Sequence, residues 1–224
     1  CNGYSKDGII SISNKGDGNV YGLFSLQKTS MHNAWGRNGL LEIKNVGNGN
    51  VYGIYGIDKV YNIYNTTGTY NAVIKIENEG AGTAYGLYNP SAEGFVYNRK
   101  LAEGQHNTID LVNKGSGKAI GIYSDGGTVY MGGFINIDNQ STGDAYGIYG
   151  GEGTTINIEP SAVINIKTTQ NGGNVYGVYS GAYSTVKNEG KIIIDGSENA
   201  YGIYVGKGST VINTGKIQIN NYSY

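Results

Sequence analysis

Val51-Tyr52-Gly53-Ile54-Tyr55 decides the fold, because the chain keeps returning to it. Near copies are Val20-Tyr21-Gly22-Leu23-Phe24, Ala84-Tyr85-Gly86-Leu87-Tyr88, Ala119-Ile120-Gly121-Ile122-Tyr123, Ala145-Tyr146-Gly147-Ile148-Tyr149, Val175-Tyr176-Gly177-Val178-Tyr179 and Ala200-Tyr201-Gly202-Ile203-Tyr204. Successive glycines lie 25 to 35 residues apart. A fixed motif at such a period marks a repeat architecture, in which each unit buries its apolar face only against its neighbours.

Upstream of each copy stands a second short segment: Ile10-x-Ile12-x-Asn14, Leu41-x-Ile43-x-Asn45, Ile74-x-Ile76-x-Asn78, Ile109-x-Leu111-x-Asn113 and Ile135-x-Ile137-x-Asn139. Later copies, Ile164-x-Ile166, Ile192-x-Ile194 and Ile217-x-Ile219, lose the Asn. The residue between the apolar pair is polar in the early copies (Ser11, Glu42, Lys75, Asp110, Asn136). Strict alternation describes a strand with one buried and one wet face; a helix needs apolar residues three and four apart. Between the two strands lie Gly/Asn-rich turns such as Lys15-Gly16-Asp17-Gly18-Asn19, suited to sharp corners. A weaker third strand shows late in the chain, at 184–186 and 209–212.

Three strands in the shortest repeats, about eight residues to a side, fit one triangular coil. The expected fold is therefore all-β: a right-handed parallel β-helix, or β-solenoid, of about seven coils of three strands. One solenoid domain is expected over 1–224, with repeats near 8–38, 39–71, 72–106, 107–132, 133–161, 162–189 and 190–214 and a partial coil at 215–224. An antiparallel sandwich also uses many short strands but gives no reason for the same residues to return at the same place.

Composition narrows the function. The 224 residues include 39 Gly, 21 Tyr, 27 Asn and only 2 Pro, with a net charge of −1. Glycine is more than twice its usual share of about 7%, yet it does not recur every third residue, which excludes collagen. No apolar run is long enough for a membrane-spanning helix. The near-neutral charge argues against nucleic-acid binding, which needs clustered Lys and Arg. Cys1 is the only cysteine, so no internal disulfide forms. It is either the edge of an excised fragment or a processed N-terminus carrying a lipid anchor.

Catalytic motifs are wanting. Gly115-Ser116-Gly117-Lys118 lacks the rest of a phosphate loop, and no nucleophile elbow, metal-ligand spacing or calcium-binding nonapeptide is present. No cofactor and no metal are expected. His32 and His106 fall in segments 26–38 and 96–107, which read as irregular insertions, so both are expected on exposed loops. Glu42, Lys75, Asp110 and Asp138 share one outer wall, as carboxylates do in β-helix polysaccharide lyases and hydrolases, but a solvated surface accounts for them.

Two columns remain. Asn14, Asn45, Asn78, Asn113 and Asn139 have the parity of the inward Ile residues and are expected to form an amide ladder along the axis. In the Tyr-Gly-Ile strand, plain alternation groups the first Tyr with the Ile, and Ile120 in a Tyr position argues that this set points inward. Val/Ala, Gly and the second aromatic then face outward, giving an exposed row of Phe24, Tyr55, Tyr88, Tyr123, Tyr149, Tyr179 and Tyr204. Such a strip is a candidate contact surface for sugar rings or a partner protein, unless the rings only stack on one another. Segments 26–38, with Met31, His32 and Trp35, and 89–107 are further candidate contact loops.

Asn-Ala-Tyr-Gly-Ile-Tyr at 199–204, followed by Gly-Ser-Thr-Val-Ile-Asn-Thr-Gly-Lys-Ile at 208–217, resembles the passenger β-helices of bacterial autotransporters and related surface adhesins. The resemblance spans about 8–222. It implies an exported rod, extracellular or on a bacterial cell surface, acting without catalysis as an adhesin or stalk. Its partner would be a protein or glycan at a cell surface, with end-to-end self-association a further expectation from open coil ends. Membrane attachment would come only through a barrel missing from this sequence or a lipid on Cys1.

Overall fold

The computed structural model describes residues 2, 7–34, 37–62, 70–99, 107–169, 173–196 and 199–220. Cys1, Trp35 and His106 lie outside the described residues, so the expectations resting on them have no structural counterpart.

The described chain coils through three parallel sheets, with no helix among the described residues. The first sheet has eight strands: Gly8–Asn14, Gly39–Asn45, Ala72–Asn78, Asn107–Asn113, Phe134–Asn139, Val163–Thr168, Lys191–Asp195 and Lys216–Asn220. The second has seven: Val20–Ser25, Val51–Gly56, Ala84–Asn89, Ala119–Ser124, Ala145–Gly150, Val175–Ser180 and Ala200–Val205. The third also has seven: Ser30–His32, Lys59–Tyr61, Phe95–Asn98, Thr128–Met131, Thr155–Ile158, Thr185–Asn188 and Thr210–Asn213. Each strand pairs in parallel with its equivalent one coil away, so Tyr21 faces Tyr52, Tyr52 faces Tyr85 and Asn45 faces Asn78. The fold is a parallel β-helix of about seven three-stranded coils.

The core is built from columns. Leu41/Ile43, Ile74/Ile76, Ile109/Leu111, Ile135/Ile137, Ile164/Ile166 and Ile192/Ile194 point in from the first sheet. Val60, Val96, Val129, Ile156 and Val186 meet them from the third, and all join one continuous cluster. A single coil has no interior of its own, so burial of these side chains exists only in the stack.

The corner after the first sheet explains the Gly/Asn turns. Asn14 donates through Nδ2 to Asn45 Oδ1 (2.7 Å), Asn45 to Asn78 (2.9 Å), Asn78 to Asn113 (3.0 Å) and Asn113 to Asn139 (3.0 Å). The other amide hydrogen holds the residue's own turn: Asn78 Nδ2 reaches Gly80 O at 3.1 Å and Gly82 O at 2.8 Å. Asn45, Asn78 and Asn113 are fully buried, and this bonding is what makes a buried amide tolerable. In the next coil Thr168 pairs with Asn139, and its hydroxyl turns to Gly196 O at 2.8 Å.

Two sequence expectations need correction. Segments 26–38 and 96–107 are not wholly irregular, because the first carries the third-sheet strand Ser30–His32 and the second opens within another, Phe95–Asn98. His32 is accordingly no exposed loop residue. It is 3% exposed and stacks on Tyr61, with ring centroids 4.6 Å apart. A second Asn ladder runs along the corner where the third-sheet strands end, Asn2 to Asn33 (3.0 Å), Asn33 to Asn62 (3.1 Å) and Asn62 to Asn98 (2.9 Å), resumed at Asn188 to Asn213 (2.7 Å).

Candidate functional site

The second sheet departs from plain alternation, and the departure puts both aromatic residues of the motif on one face. In Ala84–Asn89 and Val175–Ser180 the first, third, fourth and sixth residues are buried while the second and fifth are only partly so. Inward pointing therefore switches parity at the glycine, which the ladder pairing skips: Ala84, Tyr85, Leu87, Tyr88 and Asn89 have partners in the next coil and Gly86 has none. Val20, Val51, Ala84, Ala119, Ala145 and Val175 belong to the core cluster together with Ile54, Leu87, Ile122, Ile148 and Val178. Tyr52, Tyr146 and Ile120 are buried yet belong to no core cluster.

Glycine is required there by close approach. A Cβ on Gly86 would stand 2.5 Å from both Gly121 O and Ile109 Cγ2, and one on Gly53 2.4 Å from Gly86 O and 2.8 Å from Ile74 Cγ2. The first-sheet Ile thus fills the space where a side chain would be, and two consecutive residues can turn toward the core. The expectation that Tyr21, Tyr52, Tyr85, Ile120 and Tyr146 point inward, with Val/Ala and Gly outward, is wrong for this reason. Ile120 marks an outward position covered by its neighbours.

Two aromatic columns consequently run side by side along the outer face. In the first, Tyr21, Tyr52 and Tyr85 stack at 4.9 and 5.0 Å, and beyond Ile120 so do Tyr146, Tyr176 and Tyr201 at 5.0 and 4.9 Å. The second is unbroken from Phe24 through Tyr55, Tyr88, Tyr123, Tyr149 and Tyr179 to Tyr204, with steps of 5.1, 4.9, 4.6, 5.2, 4.9 and 5.3 Å. The columns meet edge to face: Tyr52 and Tyr55, Tyr146 and Tyr149, and Tyr176 and Tyr179 each cross at 79°. Edge-to-face and offset stacked contacts are the favoured aromatic geometries.

Those angles define the surface. Stacked rings keep about 3.5 Å between planes, so rings spaced by one rung must lean about 40° from the cross-section of the rod. Two columns leaning in opposite senses then cross near 80°, as observed. The result is a herringbone in which each ring overlaps the next like a shingle. Its edge and a strip of its face stay open. Inside the stack Tyr52 and Tyr146 of the first column are buried, at 7% and 6% exposure, beside the half-buried Tyr55 and Tyr149 of the second, whereas in the last coil both columns open, with Tyr201 at 41% beside Tyr204 at 45%.

The phenols of the face are neutral at neutral pH. Burial pushes the phenols of Tyr52, Tyr55, Tyr85, Tyr88, Tyr146, Tyr149 and Tyr176 above the ordinary tyrosine value, and that of Tyr123 up to about 12, with Asp125 adding to the last. Polar side chains flank the first column. Asn19 and Asn50 approach the hydroxyls of Tyr21 and Tyr52, and Tyr146 donates to Asp144 at 3.1 Å with the Lys118 ammonium over its ring.

The other walls differ in chemistry. Tyr61, Tyr97 and Tyr130 form a short third aromatic column on the third sheet, stacked at 4.5 and 5.0 Å with His32 at its head. Burial holds the His32 imidazole down at about 4. On the first sheet Glu42, Lys75 and Asp110 stand in register over a shallow depression of about 450 Å³. Asp110 accepts from Asn136 (2.8 Å) and Asp138 from Gln140 (2.7 Å), in separate columns. Lys44 pairs with Glu77 at 3.5 Å and Glu79 at 3.1 Å; exposed pairs of this kind contribute about 0–1 kcal/mol. No group of three or more His, Cys, Asp or Glu placed to hold a metal is found among the described residues.

No family model, curated protein or solved structure matches the chain.

Proposed function

We propose that the protein is a non-catalytic rod displayed outside a bacterial cell, an adhesin or stalk, and that its outer aromatic herringbone is the face that engages a host, glycan or neighbouring-cell ligand. The observation that carries this reading is the unbroken second column, Phe24 to Tyr204. Seven aromatic side chains are held in register over about 29 Å, six steps of about 4.8 Å, on a surface where polar residues are the usual choice. Large contiguous apolar surface on a folded protein generally marks a contact. Tyrosine suits such a face because it offers a large rigid area and a hydrogen-bonding tip with few rotatable bonds. The resemblance of the repeats to autotransporter passengers supports the extracellular setting.

The test is an array of glycans and matrix proteins probed with the intact chain, with a hydrolysis assay on every sugar that is captured. Capture without turnover is expected. Turnover would move the function to the Glu42, Lys75 and Asp110 wall and make the protein a carbohydrate-active enzyme.

A further inference from the structure

The spacing and neutrality of the second column name a ligand class, an inference that rests on the contact face proposed above. From Tyr55 to Tyr204 each rung presents the same ring edge, open strip of face and phenol hydroxyl, one step of 4.6 to 5.3 Å after the last, and Phe24 extends the column by a ring without a hydroxyl. A ligand that uses several rungs at once must be a polymer that advances by one unit per step, in a straight line parallel to the axis. An uncharged chain fits the column best, since the rings are neutral phenols, Lys118 beside them is already paired with Asp144 at 3.1 Å, and Asp125 near Tyr123 and Tyr149 would repel an anionic polymer.

An extended β-1,4-linked hexopyranose chain has these properties. Its equatorial linkages keep it straight, it advances by close to one rung per sugar, and its edges carry hydroxyls that pair with phenols. Its axial C–H groups suit the open strips of the rings. An α-1,4-linked chain of the same sugars coils and leaves the column after a few units. We infer that the Phe24–Tyr204 column binds an uncharged β-1,4-linked glycan laid along the rod, one sugar to a rung. The Tyr21, Tyr52, Tyr85, Tyr146, Tyr176 and Tyr201 column acts as a buttress that fixes the ring orientations.

The experiment is calorimetric titration of the intact protein with cello- and chito-oligosaccharides of two to six sugars, against maltohexaose. Affinity should rise by about tenfold or more from the disaccharide to the hexasaccharide of at least one β-1,4 series, with maltohexaose weaker by a similar factor. A Tyr123→Ser/Tyr149→Ser variant, which cuts the column in its middle, should lose this length dependence, whereas Lys75→Ala on the first sheet should keep it. If the double variant does not fold, perturbation of the tyrosine absorbance of the unaltered protein by the β-1,4 hexasaccharide, and not by maltohexaose, replaces it. Equal binding of the α- and β-linked chains, absence of length dependence, or no binding of either β-1,4 series overturns the inference. If array capture still depends on Tyr123 and Tyr149 after such a failure, the ligand class falls and the contact face stands. If capture ignores both tyrosines, both readings fall.

Discussion

The side-chain amide of Asn78 donates to Asn113 Oδ1 at 3.0 Å, one coil further along, while accepting from Asn45 Nδ2 at 2.9 Å. Four such links run through the buried corner after the first sheet, so each Asn serves both its own turn and its neighbours'. Asn78→Ala removes one member and orphans groups on either side. An unsatisfied buried polar group costs about 1–3 kcal/mol, and a loss of about 2–3 kcal/mol in urea unfolding is expected. Asn165→Ala, on the outer face of the same sheet, should stay within about 0.5 kcal/mol. Equal effects would mean the ladder contributes nothing beyond an ordinary surface residue.

Gly86 tests the parity switch. Its missing Cβ leaves room for Ile109 Cγ2 and Gly121 O, so Gly86→Ala should cost about 1–3 kcal/mol or more through overpacking. Gly18 has open space around it, and Gly18→Ala should be close to neutral. A tolerated Gly86→Ala would contradict the geometry that turns both tyrosines outward.

Ile120 interrupts the first aromatic column between Tyr85 and Tyr146. Ile120→Tyr should complete it and add two stacked contacts. Aromatic pairs are worth about 0.5–1.5 kcal/mol each beyond buried area, so the melting temperature should rise. A fall would place the residue in a packed interior, where the larger ring does not fit.

Alkali should weaken the fold. The folded chain holds the Tyr123 proton up to about 12, and that of Tyr88 also well above the ordinary value, whereas an unfolded tyrosine releases it near pH 10. Above about pH 10 the unfolded state binds fewer protons than the folded one. The stabilisation is therefore complete below that pH and is lost as the pH climbs through the folded values. Urea midpoints measured from pH 8 to 12 should be level at first and then drop, with phenolate absorbance appearing late for the folded protein. A midpoint unchanged to pH 12 would show the column tyrosines to be as solvated as free ones.

Most of the architecture was legible because a solenoid writes its geometry into the period. Ile74-x-Ile76-x-Asn78 identifies its strand, its inward face and its corner, and each holds in the structure. The Tyr-Gly-Ile strand misled because alternation assumes equal space on both faces, and a first-sheet isoleucine occupies the space beside the glycine. Ile120 then pointed the wrong way, since an aliphatic residue shielded by tyrosines resembles a core residue. The third sheet was obscured where its strands shorten to Ser30–His32 and Lys59–Tyr61, too brief for a period of two to show. A Val-x-Asn signature at Val60, Val96, Val186 and Val211, each followed two residues on by Asn, was the available clue to that sheet and its ladder.

The most direct test of the central claim is hydroxyl-radical footprinting of the intact protein, free and bound to the surface or glycan that captures it. Protection is predicted at Tyr88, Tyr123, Tyr149 and Tyr179, with the first sheet around Lys75 and Asp110 as reactive as in the free protein. Protection confined to the first sheet, with the tyrosines unchanged, would contradict the account.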